Sequence, residues 1–407
     1  MATENKKYIP ALRFPEFQND GEWETDTMET IFDIKNGYTP SKSNPSFWDN
    51  GTIPWFRMED IRKNGHILSD SIQHVTPAAV KNAGLFPAYS IIVATTATIG
   101  EHALIIVDSL ANQQFTFLTK RKSFVNKLDM MYFHYFMFII DEWCKRNTNA
   151  GGLLSVNMDS FKKLTIPYPS SLSEQKKIAD CFVSIDKDIE ATKRKLELLK
   201  EHKKGLMQKL FPAKGKTLPE LRFPEFQNDG EWVEKKVSNI FDQITRGYVL
   251  PVSETHQSPD DTYKYPVYSS QTANNGLMGY YNKYLFKNAI TWTTDGANAG
   301  TVMLRRGEFF CTNVCGVLIS YRGYANGCIS EIIATHAKEH VSYVGNPKLM
   351  NNVMGEIVIC IPPTIDEQVK IADCLHKVDR IISSYDKKIK SLELHKRGLI
   401  QQLFPKL

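Results

Sequence analysis

Two segments of the chain carry apolar side chains at the spacing of a coiled coil. Each segment keeps two apolar positions in successive heptads, which predicts a long helix with one continuous apolar seam. The seam positions are Ile178, Phe182, Ile185, Ile189, Leu196, Leu199 and Leu206 in the first segment and Ile371, Leu375, Val378, Ile382, Ile389, Leu392 and Leu399 in the second. Lys203 and Lys396 interrupt the seams at one matched position, and Thr192 and Tyr385 do so at another.

Local residues predict where both helices begin and end. A Ser or Thr followed three residues later by Glu has the spacing of a capping box, which marks a helix start. A proline closes each segment because it cannot donate the next backbone hydrogen bond. The capping pairs are Ser171 with Glu174 and Thr364 with Glu367, and the closing prolines are Pro212 and Pro405.

Two seams of equal length in one chain are expected to pair with each other as an antiparallel coiled coil. A whole globular segment separates the helices, which makes this arrangement sterically easy, although parallel pairing is also conceivable. The remaining alternative is two separate helices that pack on their own domains. About 40 helical residues at roughly 1.5 Å each would form a rod of about 60 Å with the globular parts at opposite ends.

The chain contains one long internal repeat. Residues 10–23 return as 219–232 with only the second position changed, and residues 174–181 resemble 367–374. A period of about 200 residues is far too long for a solenoid and predicts two homologous halves with pseudo-two-fold symmetry. The predicted boundaries are 1–170 and 213–363 for two globular domains and 171–212 and 364–407 for two spacer helices.

The repeated segment before each globular domain is rich in aromatic residues. These are Phe14, Phe17 and Trp23 in the first copy and Phe223, Phe226 and Trp232 in the second. We favour an interpretation in which they pack each domain onto the helices. The alternative is that they receive a partner protein.

The globular segments have mixed α/β character, which predicts an α+β fold class overall. Continuous apolar runs predict buried strands at 90–94, 103–107, 289–292 and 316–319, and residues 129–146 fit a buried helix. Between the repeat anchors the two halves diverge strongly. Matching anchor sequences with different sequences between them suggest that both halves have the same kind of function on different targets.

Composition narrows the class of protein without fixing its partner. The 407 residues are 42% hydrophobic and 23% charged, which is ordinary for a globular protein and excludes a disordered chain. The formal net charge of +5 permits nucleic-acid binding without requiring it. No apolar run is long enough to span a bilayer, and residues 1–7 lack a signal core. Seven scattered cysteines favour reduced thiols, so we expect a cytoplasmic protein.

Catalytic and metal-binding motifs are missing from the sequence. It contains no G-x-G-x-x-G, H-E-x-x-H or G-x-S-x-G, and Cys311 and Cys315 lack a second paired cluster that would complete a zinc site. Residues 44–47 approach the Asn-Pro-Pro-Phe sequence of amino-methyltransferases but lack its second proline. We therefore assign no catalytic residue and no metal site, and expect no enzymatic activity of the chain itself.

Recognition chemistry remains, in loops that combine amides, hydroxyls and basic groups with aromatic residues. Asn and Gln can bind adenine edges, Arg and Lys can bind guanine, and hydroxyls hold phosphates, so these loops are candidates for DNA contact. The candidates are Tyr38, Thr39, Ser41, Lys42, Arg57, Arg62, Lys63, Thr95, Thr96 and Gln113 in the first half and Arg246, Tyr248, Ser269, Ser270, Gln271, Asn274, Thr294 and Asn298 in the second. The alternative is that they are ordinary surface loops.

The whole arrangement resembles the specificity subunits of type I restriction-modification enzymes. Two variable units, each followed by a helix that begins Glu-Gln-x-x-Ile-Ala and closes at Leu-Phe-Pro, are characteristic of that family. Further matching features are the Leu-Arg-Phe-Pro-Glu-Phe entry, the stretch Pro54-Trp55-Phe56, the stretch Ala97-Thr98-Ile99-Gly100, Asn157 ten residues before Pro167 and Asn352 ten before Pro362.

The resemblance implies a function for each part of the chain. Each globular domain would be a target recognition domain that reads one half of a bipartite, asymmetric double-stranded DNA site. The helices would set the spacing of the half-sites and dock two modification subunits, which methylate adenine with S-adenosylmethionine. Restriction subunits, which use ATP and Mg²⁺, would join for cleavage, and this chain would hold no cofactor. The alternative from another class is a two-headed scaffold or adhesion module that does not bind DNA.

Overall fold

The structure is a computed structural model of the 407-residue chain. It describes residues 8–81, 84–149, 154–271 and 273–407. Residues 1–7, where the sequence has no signal core, lie outside the described residues.

The chain folds into two compact units, and the division between them runs through two long helices. Unit 1 comprises Met1–Thr192 and Lys388–Leu407, and unit 2 comprises Lys193–Lys387. Both units contain helices and strands, which confirms the predicted α+β class in its general form. The predicted domain boundaries, which keep each long helix whole, stay a prediction.

Among its described residues, unit 1 holds the first ten strands and four short or medium α-helices. The strands are β1 (Glu24–Thr27), β2 (Phe32–Asn36), β3 (Ile53–Phe56), β4 (Ile67–Leu68), β5 (His74–Val75), β6 (Ser90–Ala94), β7 (His102–Ile105), β8 (Leu110–Ala111), β9 (Phe115–Lys120) and β10 (Thr165–Tyr168). The helices are α1 (Met28–Ile31), α2 (Met58–Asn64), α3 (Met130–Arg146) and α4 (Met158–Lys162). The long helix α5 (Leu172–Leu210) follows them and continues into unit 2.

The main sheet of unit 1 has five strands in the order β2–β9–β6–β7–β4. Its first four strands are antiparallel, and β4 lies parallel to β7. A three-stranded sheet has the order β5–β3–β8, and β1 pairs with β10. Phe133 and Phe136 of α3 share one buried core with Ile91 and Leu104 of the main sheet.

In the part of unit 2 that the structure describes there are eight strands and three short or medium α-helices. The strands are β11 (Val233–Lys236), β12 (Gln243–Arg246), β13 (Tyr265–Tyr268), β14 (Leu277–Tyr281), β15 (Phe286–Thr293), β16 (Val302–Cys311), β17 (Cys315–Ile319) and β18 (Val358–Ile361). The helices are α6 (Val237–Ile240), α7 (Gly327–Ala337) and α8 (Asn351–Glu356). The long helix α9 (Ile365–Leu403) then runs back into unit 1.

The main sheet of unit 2 has six strands in the order β12–β17–β15–β16–β13–β14. Its first four strands are antiparallel and β13 lies parallel to β16, while β11 pairs separately with β18. Ile329 and Ile333 of α7 share a buried core with Ile290 and Leu318 of the sheet. The four antiparallel strands β2–β9–β6–β7 and β12–β17–β15–β16 therefore repeat the same pairing.

The strand and helix predictions for the globular segments are confirmed. β6 spans the predicted residues 90–94, β7 overlaps 103–107, and β15 and β17 contain the other two predicted runs. Helix α3 fills the segment predicted as a buried helix, with Asp129 as its N-cap. These segments were predictable because most of their side chains are buried, which leaves short runs that are largely apolar.

The predicted ends of the long helices are confirmed, but the capping-box interpretation of their glutamates was wrong. Thr364 Oγ1 accepts the backbone N–H of Glu367 at 3.3 Å, as a cap does. Ser171 instead bonds the hydroxyl of Ser173. Neither the Glu174 nor the Glu367 carboxylate returns to the helix cap, because each is held by an arginine distant in sequence.

Each long helix is tied to the repeated entry segment by a buried ion pair. Arg13 donates from Nε and Nη2 to the two carboxylate oxygens of Glu174, both at 2.7 Å, and Arg222 binds Glu367 in the same way at 2.8 Å. The glutamate side chains are 1% and 0% exposed. These hydrogen bonds raise the pKa of both arginines. The bidentate geometry gives the pair directional specificity in addition to charge neutralisation.

Four of the six aromatic residues of the entry segments pack against the cores of their own units. Trp23 and Trp232 are buried, and Phe14 and Phe223 pack against the two cores. Trp232 Nε1 also donates to Glu367 at 3.2 Å. These contacts support the packing interpretation for these residues.

Within unit 1, the start of α5 contacts the end of α9. The ring of Phe182 stacks on that of Phe404 with centroids 5.8 Å apart. Lys396 Nζ donates to both carboxylate oxygens of Asp186, at 2.6 and 2.8 Å. The lysine that interrupts the second seam therefore has a carboxylate partner on the other helix.

Within unit 2, the end of α5 contacts the start of α9 in the reciprocal way. Lys203 Nζ lies 2.8 Å from a carboxylate oxygen of Asp379 and 2.9 Å from one of Glu331. Burial alone would lower the pKa of Lys203, but the hydrogen bonds that its ammonium donates to these two carboxylates raise it. All the predicted seam residues of α5 and α9 are buried or half-buried.

Among the described residues, no helix has the length and apolar character needed to cross a membrane.

Replacing Arg222 by methionine is expected to destabilise unit 2 by about 3–5 kcal/mol, because it leaves the Glu367 carboxylate buried without a charge partner. Equilibrium denaturation followed by tryptophan fluorescence would measure this change. Lys370→Met is the matched control, since Lys370 pairs with Glu225 at 2.8 Å on the exposed surface. Equal stability of the two variants would contradict the structural importance of the buried pair.

Candidate nucleic-acid interface

A glycine directly after β2 lets two backbone segments of unit 1 come very close together. Gly37 follows β2, and its N–H donates to Phe115 O at 2.9 Å while Tyr38 N–H donates to Ala111 O at 2.8 Å. A Cβ atom on Gly37 would lie 2.4 Å from Asn112 O. Only glycine fits here, so the repeated Gly-Tyr pair has a structural reason.

A polar cavity of about 430 Å³ opens beside this close approach in unit 1. Its lining comes from four places in the chain: the end of β2, the loop after β6, the turn before β9 and the segment that leads into α4. Its lining includes Asn36, Thr95, Thr96, Gln113, Ser155 and Asp159. The structure therefore brings together three of the predicted recognition residues, namely Thr95, Thr96 and Gln113.

A chain of hydrogen bonds fixes the side chains that line this cavity. Thr95 Oγ1 and Thr116 Oγ1 are 3.1 Å apart, and Thr116 donates to Asn36 Oδ1 at 2.9 Å. On the other side, Thr39 donates its hydroxyl to Gln113 Oε1. Thr95 is buried, so its role in this hydrogen-bond network is mainly to position Thr116 and, through it, Asn36.

The other candidates of the first half lie outside the cavity lining. The Tyr38 hydroxyl donates to Ala79 O at 3.2 Å, and the Lys81 ammonium lies 4.3 Å from the centre of its ring. Arg57 pairs with Glu59 at 3.0 Å at the start of α2. The remaining ones, which are all exposed, are Ser41 and Lys42 in the loop after β2 and Arg62 and Lys63 in the last turn of α2.

The matching strand end of unit 2 carries charge. Arg246 ends β12 and is exposed, with its Nη2 3.9 Å from a carboxylate oxygen of Asp295. The buried Thr294 hydroxyl donates to the same carboxylate at 2.8 Å. Tyr248 is 65% exposed, in contrast to the half-buried Tyr38. Tyr248 and Arg246 are both exposed, so a ring that can stack and a guanidinium that can donate hydrogen bonds are accessible near the end of β12.

The remaining candidates of unit 2 surround a turn before β14. Ser269 N–H donates to Gly276 O at 2.9 Å, and Asn298 Nδ2 donates to Ser270 O at 3.0 Å. Gln271 Nε2 donates to Leu277 O, and Asn274 has a left-handed backbone with φ of +47°. The turn therefore holds Ser269, Ser270 and Gln271 near one another and next to Asn298.

A buried arginine of β16 supports this turn through a hydrogen bond to its backbone. Arg305 Nη1 donates to Asn275 O at 2.6 Å, and its guanidinium lies 3.7 Å from the centre of the Tyr268 ring. Burial lowers the pKa of Arg305. Its hydrogen bonds and ring contact thus stabilise a cation in the core of unit 2.

Sequence reasoning missed part of the cavity. Asn36, Ser155 and Asp159 line it, yet none was among the predicted residues. The repeat contained a usable signal for one of them, since Asn36 precedes Gly37-Tyr38 just as the predicted Arg246 precedes Gly247-Tyr248. Ser155 and Asp159 had no such signal, because they reach the cavity only through the tertiary fold.

No group of three or more His, Cys, Asp or Glu side chains is arranged to hold a metal ion in the part of the chain that the structure describes. The two units instead present amide, hydroxyl and basic side chains on a shared frame of strands. The class of protein that the fold defines is therefore one of two similar α+β units with unlike polar loops.

Comparison with known protein families identifies the family to which the chain belongs. The chain belongs to the family described as the type I restriction modification DNA specificity domain, whose family model matches residues 20–201 and 229–394. The model matches twice, once over each half of the repeat.

Individual relatives agree with the family assignment. The sequence is 32% identical over 361 residues to the type I restriction enzyme EcoprrI specificity subunit of Escherichia coli, and the match covers 88% of each chain. It is also 32% identical over 161 residues to the type I restriction enzyme MpnII specificity subunit of Mycoplasma pneumoniae, covering 39% of this chain and 47% of that one.

Solved structures share the fold at low sequence identity. The S subunit of a type I restriction-modification system from M. genitalium superposes with a TM-score of 0.64 at 18% identity, covering 98% of this chain and 99% of that one. A chain from a study of complex assembly and conformational transition of the type I R-M system gives a TM-score of 0.54 at 14% identity, with 94% and 96% covered.

Gly37→Ala is expected to destabilise unit 1 by about 1–3 kcal/mol, because the new methyl group collides with backbone atoms that cannot move independently. Gly205→Ala is a matched control that should change the free energy of unfolding in the opposite direction. Gly205 lies inside α5 with no atom within 4 Å of an added Cβ, so alanine should stabilise the helix by about 0.5–1 kcal/mol. Equilibrium unfolding of both variants measures the difference. Stability unchanged in Gly37→Ala would show that the close approach is loose.

Proposed function

We propose that this chain is the DNA-sequence specificity subunit of a type I restriction-modification complex. Each unit reads one half of a bipartite DNA site, and the two half-sites differ because the units differ. The observation that carries the proposal is the double match to the DNA specificity family over residues 20–201 and 229–394. The recognition loops of both units, with their amide, hydroxyl and basic side chains, have the chemistry that base edges and phosphates require.

The proposal includes an antiparallel coiled coil of α5 and α9 that sets the spacing of the half-sites. Its support is the reciprocal pairing of the seam lysines: Lys203 of α5 with Asp379 of α9, and Lys396 of α9 with Asp186 of α5. As the residue number on one helix rises, that on its partner falls, which is the signature of antiparallel pairing. Reading of the second half-site is then intramolecular, so the two modest affinities multiply through the effective concentration.

Catalysis in this proposal belongs to partner subunits. Two modification subunits would methylate adenine with S-adenosylmethionine, and restriction subunits would use ATP and Mg²⁺, while this chain binds no cofactor and catalyses no step. The protein would act in the cytoplasm, where the chromosome is modified. A two-headed scaffold without DNA binding is the less favoured alternative, because the relatives and the family model are described as specificity components.

Co-expression with the modification subunit is expected to place methyl groups on adenines within one bipartite, non-palindromic sequence. Single-molecule sequencing of genomic DNA would detect the modified positions. A strain with the modification subunit but without this chain is the control and should lack the pattern. Methylation that is identical with and without this chain would refute the proposed function.

Lengthening α5 by one helical turn of four residues after Thr192 is expected to change the spacer and leave both half-sites unchanged. Four residues add about 6 Å, which corresponds to at most about two base pairs. The control places the same four residues after Lys214, in the segment that follows α5. Methylation mapping gives the spacer length in each case. An unchanged spacer in an active α5 variant would refute the proposal that the two long helices set the spacing of the half-sites.

A further inference from the structure

The loops that we assign to recognition are held by the same set of backbone hydrogen bonds in both units, which we call the backbone frame. In unit 1, Asn112 N–H donates to Phe56 O at 3.0 Å and Thr95 N–H donates to Gln114 O at 3.1 Å. In unit 2 the corresponding bonds are Thr312 N–H to Tyr268 O at 2.9 Å and Thr294 N–H to Val314 O at 2.9 Å.

Two further contacts complete this equivalence. Gly37 approaches the turn between β8 and β9, and Gly247 approaches the turn between β16 and β17. Both glycines donate their N–H to the carbonyl of the first residue of the following strand at 2.9 Å. The bridges Thr96–Ser155 and Asp295–Lys348 also occupy the same place after the central strand. The frame therefore fixes four pairs of matched positions, each contributed by a different segment. They are Asn36 with Arg246, Thr96 with Asp295, Gln113 with Asn313 and Ser155 with Lys348.

The side chains at the matched positions differ in chemistry although the frame is the same. In unit 1 all four are neutral amides or hydroxyls, and in unit 2 three are charged. None is fully buried, so none is needed for the cores. A set of accessible positions that keeps its backbone geometry while its chemistry changes is what two readers of different base sequences require.

The unit 1 cavity has the chemistry of an adenine edge rather than of a phosphate. No lysine or arginine of the described residues lines it, and its one charged lining residue is Asp159, which would repel a phosphate. Asn36 Oδ1 and Gln113 Oε1 each accept a threonine hydroxyl, and no hydrogen bond among the described residues uses Asn36 Nδ2 or Gln113 Nε2. An amide oxygen has a second lone pair, so each amide can still both accept from and donate to a base.

The matched positions of unit 2 have the chemistry of a guanine edge. Arg246 is exposed and carries the fork of donors that binds guanine O6 and N7. Asp295, 3.9 Å away, would hold the guanidinium in position, and it would itself repel a phosphate. Thr294 fixes that carboxylate through a 2.8 Å hydrogen bond.

We propose that these four matched positions are the principal base-reading site of each unit, with Asn36 and Gln113 reading an A·T pair and Arg246 reading a G·C pair. The inference rests on the proposed function and deepens it, since it names the residues and the base class. The same frame then yields unlike half-sites because only its accessible side chains differ.

The test uses the full chain co-expressed with its modification subunit and reads the methylated sequence of genomic DNA. Asn36→Asp and Gln113→Glu each keep the oxygen that accepts the threonine hydroxyl but remove the amide donor. We expect each variant to reduce methylation of the parental site about tenfold or more and to alter one A·T position in one half-site. Arg246→Gln is expected to alter a G·C position in the other half-site only.

Asn126→Asp is the matched control, because it makes the same chemical change at an exposed position outside the cavity and should leave the pattern unchanged. Thermal unfolding checks that each variant is folded. Folded Asn36, Gln113 and Arg246 variants that methylate the parental sequence at the parental level would overturn this inference, while the proposed function stands. A parental chain that directs no sequence-specific methylation would overturn the proposed function itself.

Discussion

Each unit depends on one buried carboxylate at the start of a long helix. Glu174 and Glu367 are almost fully removed from water, and each is neutralised by a bidentate arginine from the entry segment, Arg13 or Arg222. The same arginines donate to Gly21 O and Gly230 O at 2.6 Å, so each also fixes the turn of its entry segment. Because a buried carboxylate is tolerated only with its partner, this pair specifies where the helix starts relative to the entry segment.

The entry segment also contacts the end of the other long helix. Leu12 N–H donates to Gln402 O at 2.9 Å in unit 1, and Leu221 N–H donates to Lys209 O at 2.8 Å in unit 2. Each entry segment therefore joins the start of one helix to the end of the other. The repeated Leu-Arg-Phe-Pro sequence has this architectural reason, whereas the loops between the anchors are free to differ.

The parts of the fold that follow a local rule could be predicted from the sequence, and the parts that depend on distant contacts could not. The heptads and closing prolines gave both helices, and the unbroken apolar run at 90–94 gave β6. The partner of Glu174 was not predictable, since Arg13 lies 161 residues away and a capping box explained the same spacing equally well. The cavity was only partly predictable for the same reason, because its lining comes from four separate segments.

The seam lysines show how a polar interruption can select one pairing of two helices. A lysine on an apolar seam is unfavourable unless its ammonium reaches a carboxylate, and the long side chain of lysine allows this. Lys203 finds Asp379 and Lys396 finds Asp186, which are themselves matched positions of the repeat. A shift of one helix by a heptad would remove both partners at once, so the two interruptions favour a single register. Within each unit, the ion pair therefore favours one relative position of the two helix segments that meet there.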